Sequence, residues 1–567
     1  MNTDQQGASP RSGAGLTRRQ DYARRLEQLK LERQPFLAQW RELAAYVLPW
    51  ALRLGGRRES LVNSRIINNT ATLGHRVLAS GLMAGLSSPA RPWFRLGLAR
   101  GDLMESGPVR QWLAASESVL AAIFARSNFY NVAHQIYAEL GVFGTGAMHI
   151  DEDPGTGIRC YHVPVGGYCL SLDARLEVDT FYRETSLSVR QLVEGFGAGS
   201  VSAQVLGLHE SGNLEAQVDI VNVIEPNPRG AGPGKAFRSV WFEAGGDPDR
   251  FLKESGFAEF PIVAPRWDII EADIYGRPPA ADALGDIKAL QLEELRKAQA
   301  IDKMSNPPMV GHPDLKAQAA SVLPGGITFA PFLPGGQPGF RPVYQVDPRI
   351  GELMADIGQV ERRIEKAFYV DLFLMLANSD RRQITATEVA ERHEEKLLVL
   401  GPVVERLQGE MLKPVIERTF AIALRQGLLP AAPPELRGTT LDVEFISVLA
   451  QAQKLVAVGG IERYVATIAG WAGLDPRIAD KVDLDQAADE LGGALGVSPR
   501  IMVSDEIVAG KRAQKEREAE AAQQMAMLQQ MGGLAESASR TDLGDGENLL
   551  GVAAKTLAPA LAAPQGG

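Results

Sequence analysis

Three consecutive carboxylates, Asp151, Glu152 and Asp153, form a compact set of side chains that could do chemistry. Paired carboxylates can hold Mg²⁺ for the hydrolysis of a nucleic acid. The triplet also stands directly before Pro154, where an acidic, solvated turn is the commoner structure. We expect the turn, and the alternative is a metal-dependent nucleic-acid enzyme.

Two glycine-rich segments have some features of nucleotide-binding loops. The first segment is Arg229 to Ala236. Arg229 stands where a P-loop needs its first glycine, and Ala236 follows the lysine at the position that requires Ser or Thr. Pro233 also removes a backbone hydrogen-bond donor. The second, Gly141 to Gly146, lacks the dinucleotide-binding spacing and follows a helical pattern instead of a strand. We therefore expect a surface turn and a helix end at these two places.

The histidines and cysteines do not have the spacing of a metal or catalytic site. No HExxH motif occurs, because the sequence after His393 has no second histidine at the required position. Cys160 and Cys169 form neither a CxxC pair nor a disulfide framework, which suits a reducing cytoplasm. No GxSxG motif is present. The sequence therefore predicts no catalytic residue, no cofactor-binding residue and no metal ligand, and thus a protein that is not an enzyme.

The charge balance argues against a protein that grips DNA tightly. The 567 residues are 45% hydrophobic and 23% charged, and the net charge is -10. Tight binding of DNA phosphates normally requires a basic surface. The polar, Gly/Ser-rich segment from Met1 to Gly15 has no signal core, and no apolar run approaches the roughly 18 to 20 residues of a membrane helix. We expect a soluble protein made in a cytoplasm, with no membrane partner.

The elements that must position these residues are mostly helical. Apolar residues at helical spacing, with capping and Pro signals at the ends, predict helices over Leu16 to Leu48, Asn63 to Leu86, Pro108 to Ser127, Tyr130 to Phe143, Val189 to Phe196, Pro279 to Met304, Pro348 to Ala377 and Thr385 to Gln426. The last is expected to be kinked at Pro402 and Pro414. Small residues along the helix from Asn63 to Leu86 indicate close packing, either in a core or at a subunit interface.

Short β-rich runs between turn signals predict a mostly antiparallel sheet region. They are Ala147 to Asp151, Ile158 to Val163, Thr180 to Leu187, Ala216 to Ile224, Phe237 to Phe242 and Ile262 to Trp267, with a further strand at Leu441 to Ile446. Residues 307–348 are rich in Pro and Gly, which excludes a long helix there. The pattern is therefore a long helix, an extended excursion, a second long helix, a polar loop and a capped helix.

Four motifs in this order resemble the portal (head-to-tail connector) proteins of short-tailed double-stranded-DNA bacteriophages. They are the small-residue helix and turn from Leu78 to Phe94, Tyr275 to Ala280 before a long helix, Asn306-Pro307-Pro308 with Leu323 to Gly326 downstream, and Ile384 to Val389. The similarity covers roughly residues 20 to 500. Each motif alone is modest, whereas four in order are specific.

The resemblance implies an α+β fold that is mainly α: the phage portal fold, with long stem helices, a β-rich wing and a small clip, assembled as a ring. It implies a leader (1–15), a wing (16–275), stem helices (276–305 and 349–377), a clip (306–348), a tunnel loop (378–384), a long kinked wing helix (385–440), a crown (441–531) and a flexible tail (532–567). The ring of this family normally has twelve subunits and lies at one capsid vertex.

The same resemblance implies the function and the partners. The ring would be the conduit for genome packaging and ejection, and double-stranded DNA would pass through it without sequence specificity. The terminase large subunit, tail adaptor proteins, scaffold protein and the major capsid protein would bind it, and it would reside in the virion. The alternative is another phage structural protein (a capsid, scaffold or tail component).

Two sets of residues are candidates for functional contacts. The polar loop Asn378, Ser379, Asp380, Arg381, Arg382 and Gln383 is the candidate DNA-facing constriction. Arg381 and Arg382 could touch phosphates, or they could pair with Asp380 or Glu388. In the clip, Phe329, Phe332 and Phe340 could be docking anchors or could form a small core of their own. The segment from Lys511 to Met531 is either a crown helix facing the capsid interior or a solvated helix.

Overall fold

A computed structural model describes most of the chain, in two compact units within residues 1–457 and 458–567. The described residues are 18–54, 57–58, 65–98, 106–227, 235–246, 250–316, 320–321, 327–329, 331–332, 335–343, 349–379, 399–436, 441–450, 464–473, 475–494 and 505–540. The protein has the mixed helix and strand content that the sequence predicts.

The first unit begins with four helices. They are α1 (Arg18–Val47), α2 (Thr70–Leu86), α3 (Gly107–Arg126) and α4 (Phe129–Phe143). The predictions for α1, α3 and α4 are confirmed to within two residues. The predicted start of α2 at Asn63 is wrong, because residues 65–69 are not helical and the Asn68 side chain accepts hydrogen bonds from the Thr70 amide (2.9 Å) and hydroxyl (2.7 Å).

A five-stranded antiparallel sheet forms the largest β-structure. Its strands are β6 (Tyr168–Leu172), β7 (Val178–Ser188), β8 (Gln217–Pro226), β9 (Phe237–Glu243) and β10 (Lys253–Phe257), in the order β10-β9-β8-β7-β6. Helices α5 (Val189–Phe196) and α6 (Ala203–Glu210) stand between β7 and β8. The antiparallel prediction is confirmed, although the sequence patterns did not identify β6, β10 and α6.

A second antiparallel sheet contains three strands. They are β4 (Ala147–Asp153), β5 (Gly157–Val163) and β11 (Ile262–Val263), in the order β11-β4-β5. The predicted strand from Ile262 to Trp267 is wrong beyond Val263, where only an isolated bridge between Thr145 and Arg266 continues the pairing. A hydrogen bond from the Arg418 guanidinium to the Ile150 carbonyl (2.9 Å) connects this sheet to a helix later in the chain.

Three small ribbons complete the β-structure of the described residues. One pairs β1 (Arg53–Leu54) with β2 (Arg57–Arg58). Another pairs β3 (Phe94–Leu98) with β14 (Leu441–Phe445), which joins the start and the end of the first unit. The sequence predicted β14 but neither β3 nor this pairing. The third, β12 (Met309–Gly311) with β13 (Phe340–Pro342), lies in the Pro/Gly-rich excursion, where the described residues form no α-helix.

Long helices flank this excursion. Helix α7 (Pro279–Ser305) confirms the predicted helix there. The predicted single helix from Pro348 to Ala377 is wrong, because two helices occupy this region, α8 (Ile350–Ala367) and α9 (Val370–Ser379). They are separated at Tyr369, whose φ of 54° is left-handed and incompatible with a continuous α-helix. Of the apolar residues at helical spacing in this segment, Ile357, Val360 and Ile364 of α8 are buried.

The last helix of the first unit, α10, occupies residues 399–425. It consists of residues 399–407, a π-helical turn (Gln408–Leu412) and Lys413–Arg425. Pro414 follows the π turn, which accommodates the missing amide hydrogen and the ring, so the irregularity that the sequence placed at Pro414 lies just before it. The predicted start at Thr385 lies outside the described residues.

The second unit contains helical residues 464–472, Leu484–Ala494 and Asp505–Arg540. In the last of these helices, every described side chain except that of Val508 is exposed. Among the described residues, no helix combines the length and the apolar character that a bilayer crossing would need.

Candidate functional site

The acidic triplet ends strand β4, and its carboxylates are engaged separately. Asp153 Oδ2 accepts hydrogen bonds from the Thr156 amide (2.8 Å) and hydroxyl (2.6 Å), which lower the pKa of the Asp153 carboxyl. Glu152 Oε1 forms an ion pair with Arg425 of α10 (2.8 Å). Nowhere in the described part of the chain do three acidic, histidine or cysteine side chains converge as metal ligands would. Asp151, Glu152 and Asp153 are therefore the paired end of a strand, and the expected turn follows them at residues 154–156.

The glycine-rich segments fall in different parts of the structure. Gly144 ends α4 in a left-handed conformation (φ 76°), so the predicted helix end is confirmed. Residues 228–234, most of the segment that lacks the features of a P-loop, lie outside the described residues.

The candidate DNA-facing loop begins at the end of α9. Asn378 and Ser379 are the last two residues of that helix, whereas Asp380, Arg381, Arg382 and Gln383 lie outside the described residues. Helix α9 itself is held against the protein by Leu372 and Phe373, which are fully buried. Helix α2 is the element on which α9 packs.

A polar network fixes the beginning of α2 to the two long helices. Gln291 of α7, only 5% exposed, accepts hydrogen bonds from the amides of Ile67 (2.6 Å) and Asn68 (2.8 Å) and donates to the Asn68 carbonyl (3.0 Å). The Asn68 amide group donates in turn to Glu361 of α8 (2.9 Å) and Glu294 of α7 (3.3 Å). We call Asn68, Gln291, Glu294 and Glu361 the Asn68 network. Sequence reasoning missed it, since a buried Gln has no distinguishing local pattern.

The clip candidates differ in exposure. Phe329 and Phe332 are 84% and 73% exposed, whereas Phe340 on β13 is partly buried. Phe329 and Phe332 therefore lie outside the buried core of the single chain, and the two alternatives for these phenylalanines stay predictions for the assembled protein. Ile327, which is 77% exposed, adds to this apolar surface.

A buried ion pair connects the π turn of α10 to the segment before α7. Arg266, only 3% exposed, donates from its amide and guanidinium to the Glu410 carboxylate, with a shortest distance of 2.7 Å. The guanidinium also donates to the carbonyls of Asp273 (3.2 Å) and Leu176 (3.1 Å). Because the charge and hydrogen-bonding groups of Arg266 are satisfied by protein atoms, the pair serves packing, and it presents no open site to a ligand.

The pKa values of two histidines are shifted in opposite directions because the surroundings of the two imidazoles differ. Burial, with the nearby charges of His134 and Arg76, lowers the pKa of His75 to about 4. Burial acts in the same sense on His162, but the Glu139 carboxylate 3.1 Å away outweighs it and raises the pKa of that imidazole. We assign His75 to the buried core and His162 to a partly exposed contact with Glu139.

Comparison with known proteins identifies similar chains over almost the whole length. A family model described as bacteriophage head to tail connecting protein matches residues 19–503. The portal protein of Salmonella phage epsilon15 is 42% identical over 552 residues, covering 96% of this chain and 99% of that protein. The probable portal protein of Bordetella phage BPP-1 is 42% identical over 527 residues, covering 91% of this chain and 94% of that protein.

A solved structure, described as the neck of an empty GTA particle computed with C6 symmetry, also aligns. The alignment covers 69% of this chain and 90% of that one, with 12% identity and a TM-score of 0.33. That similarity is too low to support an argument about this chain.

Proposed function

This chain belongs to the family of bacteriophage head-to-tail connecting proteins, and on that premise we propose that it forms the portal ring, of twelve subunits, at one vertex of a phage capsid. The observation that carries the proposal is the 42% identity to a portal protein over 99% of that protein's length. Similarity of this extent leaves no large region in which a different activity would have to reside.

In this proposal the ring is the conduit for genome packaging and ejection and performs no chemistry. The net charge of -10 per chain supports passage of DNA over retention, because every attractive phosphate contact must break as the polymer advances. Double-stranded DNA would thus pass without sequence specificity. The loop 378–384 would form the constriction, where Arg381 and Arg382 make transient phosphate contacts.

The remaining regions would bind partner proteins or form the wall and periphery of the ring. The clip (306–348) would bind the terminase large subunit and later a tail adaptor, and the exposure of Phe329 and Phe332 supports their use as contact anchors. The wing (16–275), with the helix 385–440, would face the scaffold and the major capsid protein. The stem (276–305 and 349–377) would surround the channel, and the crown (441–531) and tail (532–567) would follow. The assembled ring would reside in the virion after synthesis in the host cytoplasm.

The mass and shape of the purified protein test the ring. We expect particles with a central hole and a mass near 734 kDa, twelve times the 61.2 kDa chain, by mass photometry and negative-stain imaging. Large closed shells would instead support a capsid protein. A chain that stays monomeric at high concentration, with scaffold protein present, would contradict the proposal.

The constriction is tested by the double substitution Arg381→Ala/Arg382→Ala. Rings should assemble normally, while the length of packaged genome or its retention in the capsid changes. Arg477→Ala is a matched control, because that arginine is exposed and, among the described residues, its ion-pair partner is Asp475 two positions away. Normal packaging and retention in the double variant would show that these arginines do not act on DNA.

A further inference from the structure

The connection between α8 and α9 is a bend that contains one residue in an unusual backbone conformation. Tyr369 has a φ of 54°, a left-handed value that side chains larger than glycine rarely adopt. Helix α8 closes with a hydrogen bond from the Phe368 amide to the Ile364 carbonyl (3.2 Å), and α9 opens with one from the Phe373 amide to the Tyr369 carbonyl (3.2 Å). A bulky residue keeps such a conformation only where the surrounding packing determines it.

That packing consists of two phenylalanines placed against two glycines of α2. Phe368 and Phe373, on either side of the bend, are both fully buried. A Cβ atom added to Gly74 would lie 3.2 Å from the Phe368 ring, and one added to Gly81 would lie 2.1 Å from the Phe373 ring. The aromatic side chain of Phe373 therefore occupies the space that any other residue at position 81 would need.

Helix geometry explains why the bend and these contacts require each other. Gly74 and Gly81 are seven residues apart, which is close to two turns, so they lie on the same face of α2. Phe368 and Phe373 are five residues apart, and in a continuous helix they would point about 140° away from each other. The left-handed residue between them changes the direction of the chain, so that both rings reach the same face of α2.

The other end of α2 is tied to the long helices. Through the Asn68 network, the residues that lead into α2 are hydrogen-bonded to Gln291 and Glu294 of α7 and to Glu361 of α8. Helix α2 thus contacts α8 before the bend and α9 after it. A displacement of α7 would therefore reach α9 through α2 as well as through α8.

We propose that Gly81 and Phe373, assisted by Gly74 and Phe368, are positioning residues that set the direction of α9 and with it the point at which the loop 378–384 begins. The consequence for DNA rests on the proposed function of that loop. The consequence for the bend does not, so the two can be tested separately.

The bend is measured by the distance between two spin labels in the full-length chain. Gln359→Cys on α8 and Leu374→Cys on α9 place the labels at exposed positions on either side of Tyr369. The native thiols remain unlabelled, because Cys160 and Cys169 are buried and burial raises the pKa of these thiols to about 12 and about 11. Dilution with unlabelled chain restricts the measurement to distances within one subunit.

Three substitutions in this labelled background separate the bend from general destabilisation. Gly81→Ala forces Phe373 out of its place, and Phe373→Ala removes the ring without adding an atom to α2. Gly85→Ala is the matched control, because Gly85 lies on α2, as Gly81 does, but away from the bend. Its new methyl group would lie 2.6 Å from the Leu449 side chain. Phe373→Leu, which keeps an apolar group in the contact, is the conservative variant.

We expect Gly81→Ala and Phe373→Ala to broaden the distance distribution or to displace its mean by about 2 Å, because a rotation of roughly 15° acts over the ~7 Å of helix between Tyr369 and Leu374. Gly85→Ala and Phe373→Leu should retain the native distribution. If Gly81→Ala does not fold, the distance measured in Phe373→Ala alone tests the inference. An unchanged distance in Phe373→Ala, or an equal change in Gly85→Ala, would overturn the inference.

Genome retention in phage particles carrying the same variants provides the second measurement. A changed distance together with leakage or altered genome length supports both the positioning role and the proposed loop. A changed distance with normal packaging and retention leaves the bend assignment standing and contradicts the DNA-facing role of the loop.

Discussion

Single side chains hold distant parts of this protein together through buried polar contacts. Arg266 and Glu410 are 144 positions apart in the sequence, yet the guanidinium of one, 4% exposed, lies 2.7 Å from the carboxylate of the other. Removing one member of such a pair leaves a charge without a partner in a poorly solvated place. Sequence reasoning found neither residue, because an arginine and a glutamate so far apart have no shared local pattern.

Arg266→Met is expected to lower the free energy of unfolding by about 3 kcal/mol, since Glu410 and two backbone carbonyls then lose their donor. Chemical denaturation measures the change. Arg349→Met is the control, because the Arg349–Glu352 pair is 80% and 71% exposed and its loss should cost less than about 1 kcal/mol. Equal effects in both variants would mean that Arg266 is not held as the structure indicates.

His75 makes stability depend on pH. Its imidazole is 3% exposed and its pKa is lowered to about 4, whereas the unfolded chain binds the proton near pH 6.5. Stability from the neutral form is therefore complete above pH 6.5 and is lost as the pH falls toward 4. His75→Gln should reduce this slope, measured as the free energy of unfolding between pH 6.5 and 4.

His162 does not confound that measurement. Its pKa is raised, so its stabilisation is complete below pH 6.5 and is lost only as the pH rises above that value. Burial also lowers the pKa of His149 to about 4. The His75→Gln variant should therefore keep the part of the pH dependence of stability that comes from His149. A slope identical to that of the parent chain would contradict the assignment to His75.

At the scale of elements, a close contact of two glycines positions the start of α7. Gly144 ends α4, and a Cβ atom placed on it would lie 2.2 Å from the carbonyl oxygen of Gly276, in the turn that leads into α7. The Trp267 amide donates to the Gly144 carbonyl (2.8 Å) at the same place. The sequence indicated the helix end at Gly144. It did not indicate that the backbone at Gly276 lies so close that position 144 has no room for a side chain.

Gly144→Ala is therefore expected to destabilise the protein by about 3 kcal/mol or more, since left-handed strain and a backbone clash add together. Gly427→Ala is the matched control, because Gly427 has a similar φ of 67° but open space around it, and only the strain of about 1 to 2 kcal/mol remains. Thermal or denaturant unfolding compares the two. If Gly144→Ala were no more destabilising than Gly427→Ala, the end of α4 and the Gly276 turn would not be in contact.

At the scale of the whole molecule, the hydrophobic cores lie within the first unit. The three buried clusters of the described residues include none beyond Leu449. Leu449 itself is fully buried and contacts the position of Gly85 on α2. Because these cores are built from residues of the first unit, the first unit should fold without the second.

A chain that ends at Ala457 is expected to unfold within about 2 °C of the full-length protein, since a change of less than about 1 kcal/mol shifts the melting temperature by no more than that in a unit of this size. Calorimetry of the unassembled chains measures the shift. A chain that ends at Ile446 lacks Leu449 and should melt at a clearly lower temperature. A large drop for the longer truncation would show that the second unit supports the first.

The sequence by itself determined the elements whose signals are local. Apolar spacing, Pro and Gly placed α1, α3, α4, α5 and α7 and the Pro/Gly-rich excursion, and alternation placed most strands of the two sheets. Four motifs in order also indicated the family that the similarity over residues 19–503 shows. Each of these properties depends on residues a few positions apart, which is why a single chain read in order reveals them.

The tertiary structure alone decided the contacts between residues that are far apart. Nothing in the sequence near Phe368 and Tyr369 signals a break, because neither glycine nor proline stands there, and the bend exists only with α2 beside it. The pairing of β3 with β14, the Arg266–Glu410 pair and the exposure of Phe329 and Phe332 have the same origin. Burial and pairing depend on which surfaces meet in three dimensions, and local propensity does not contain that information.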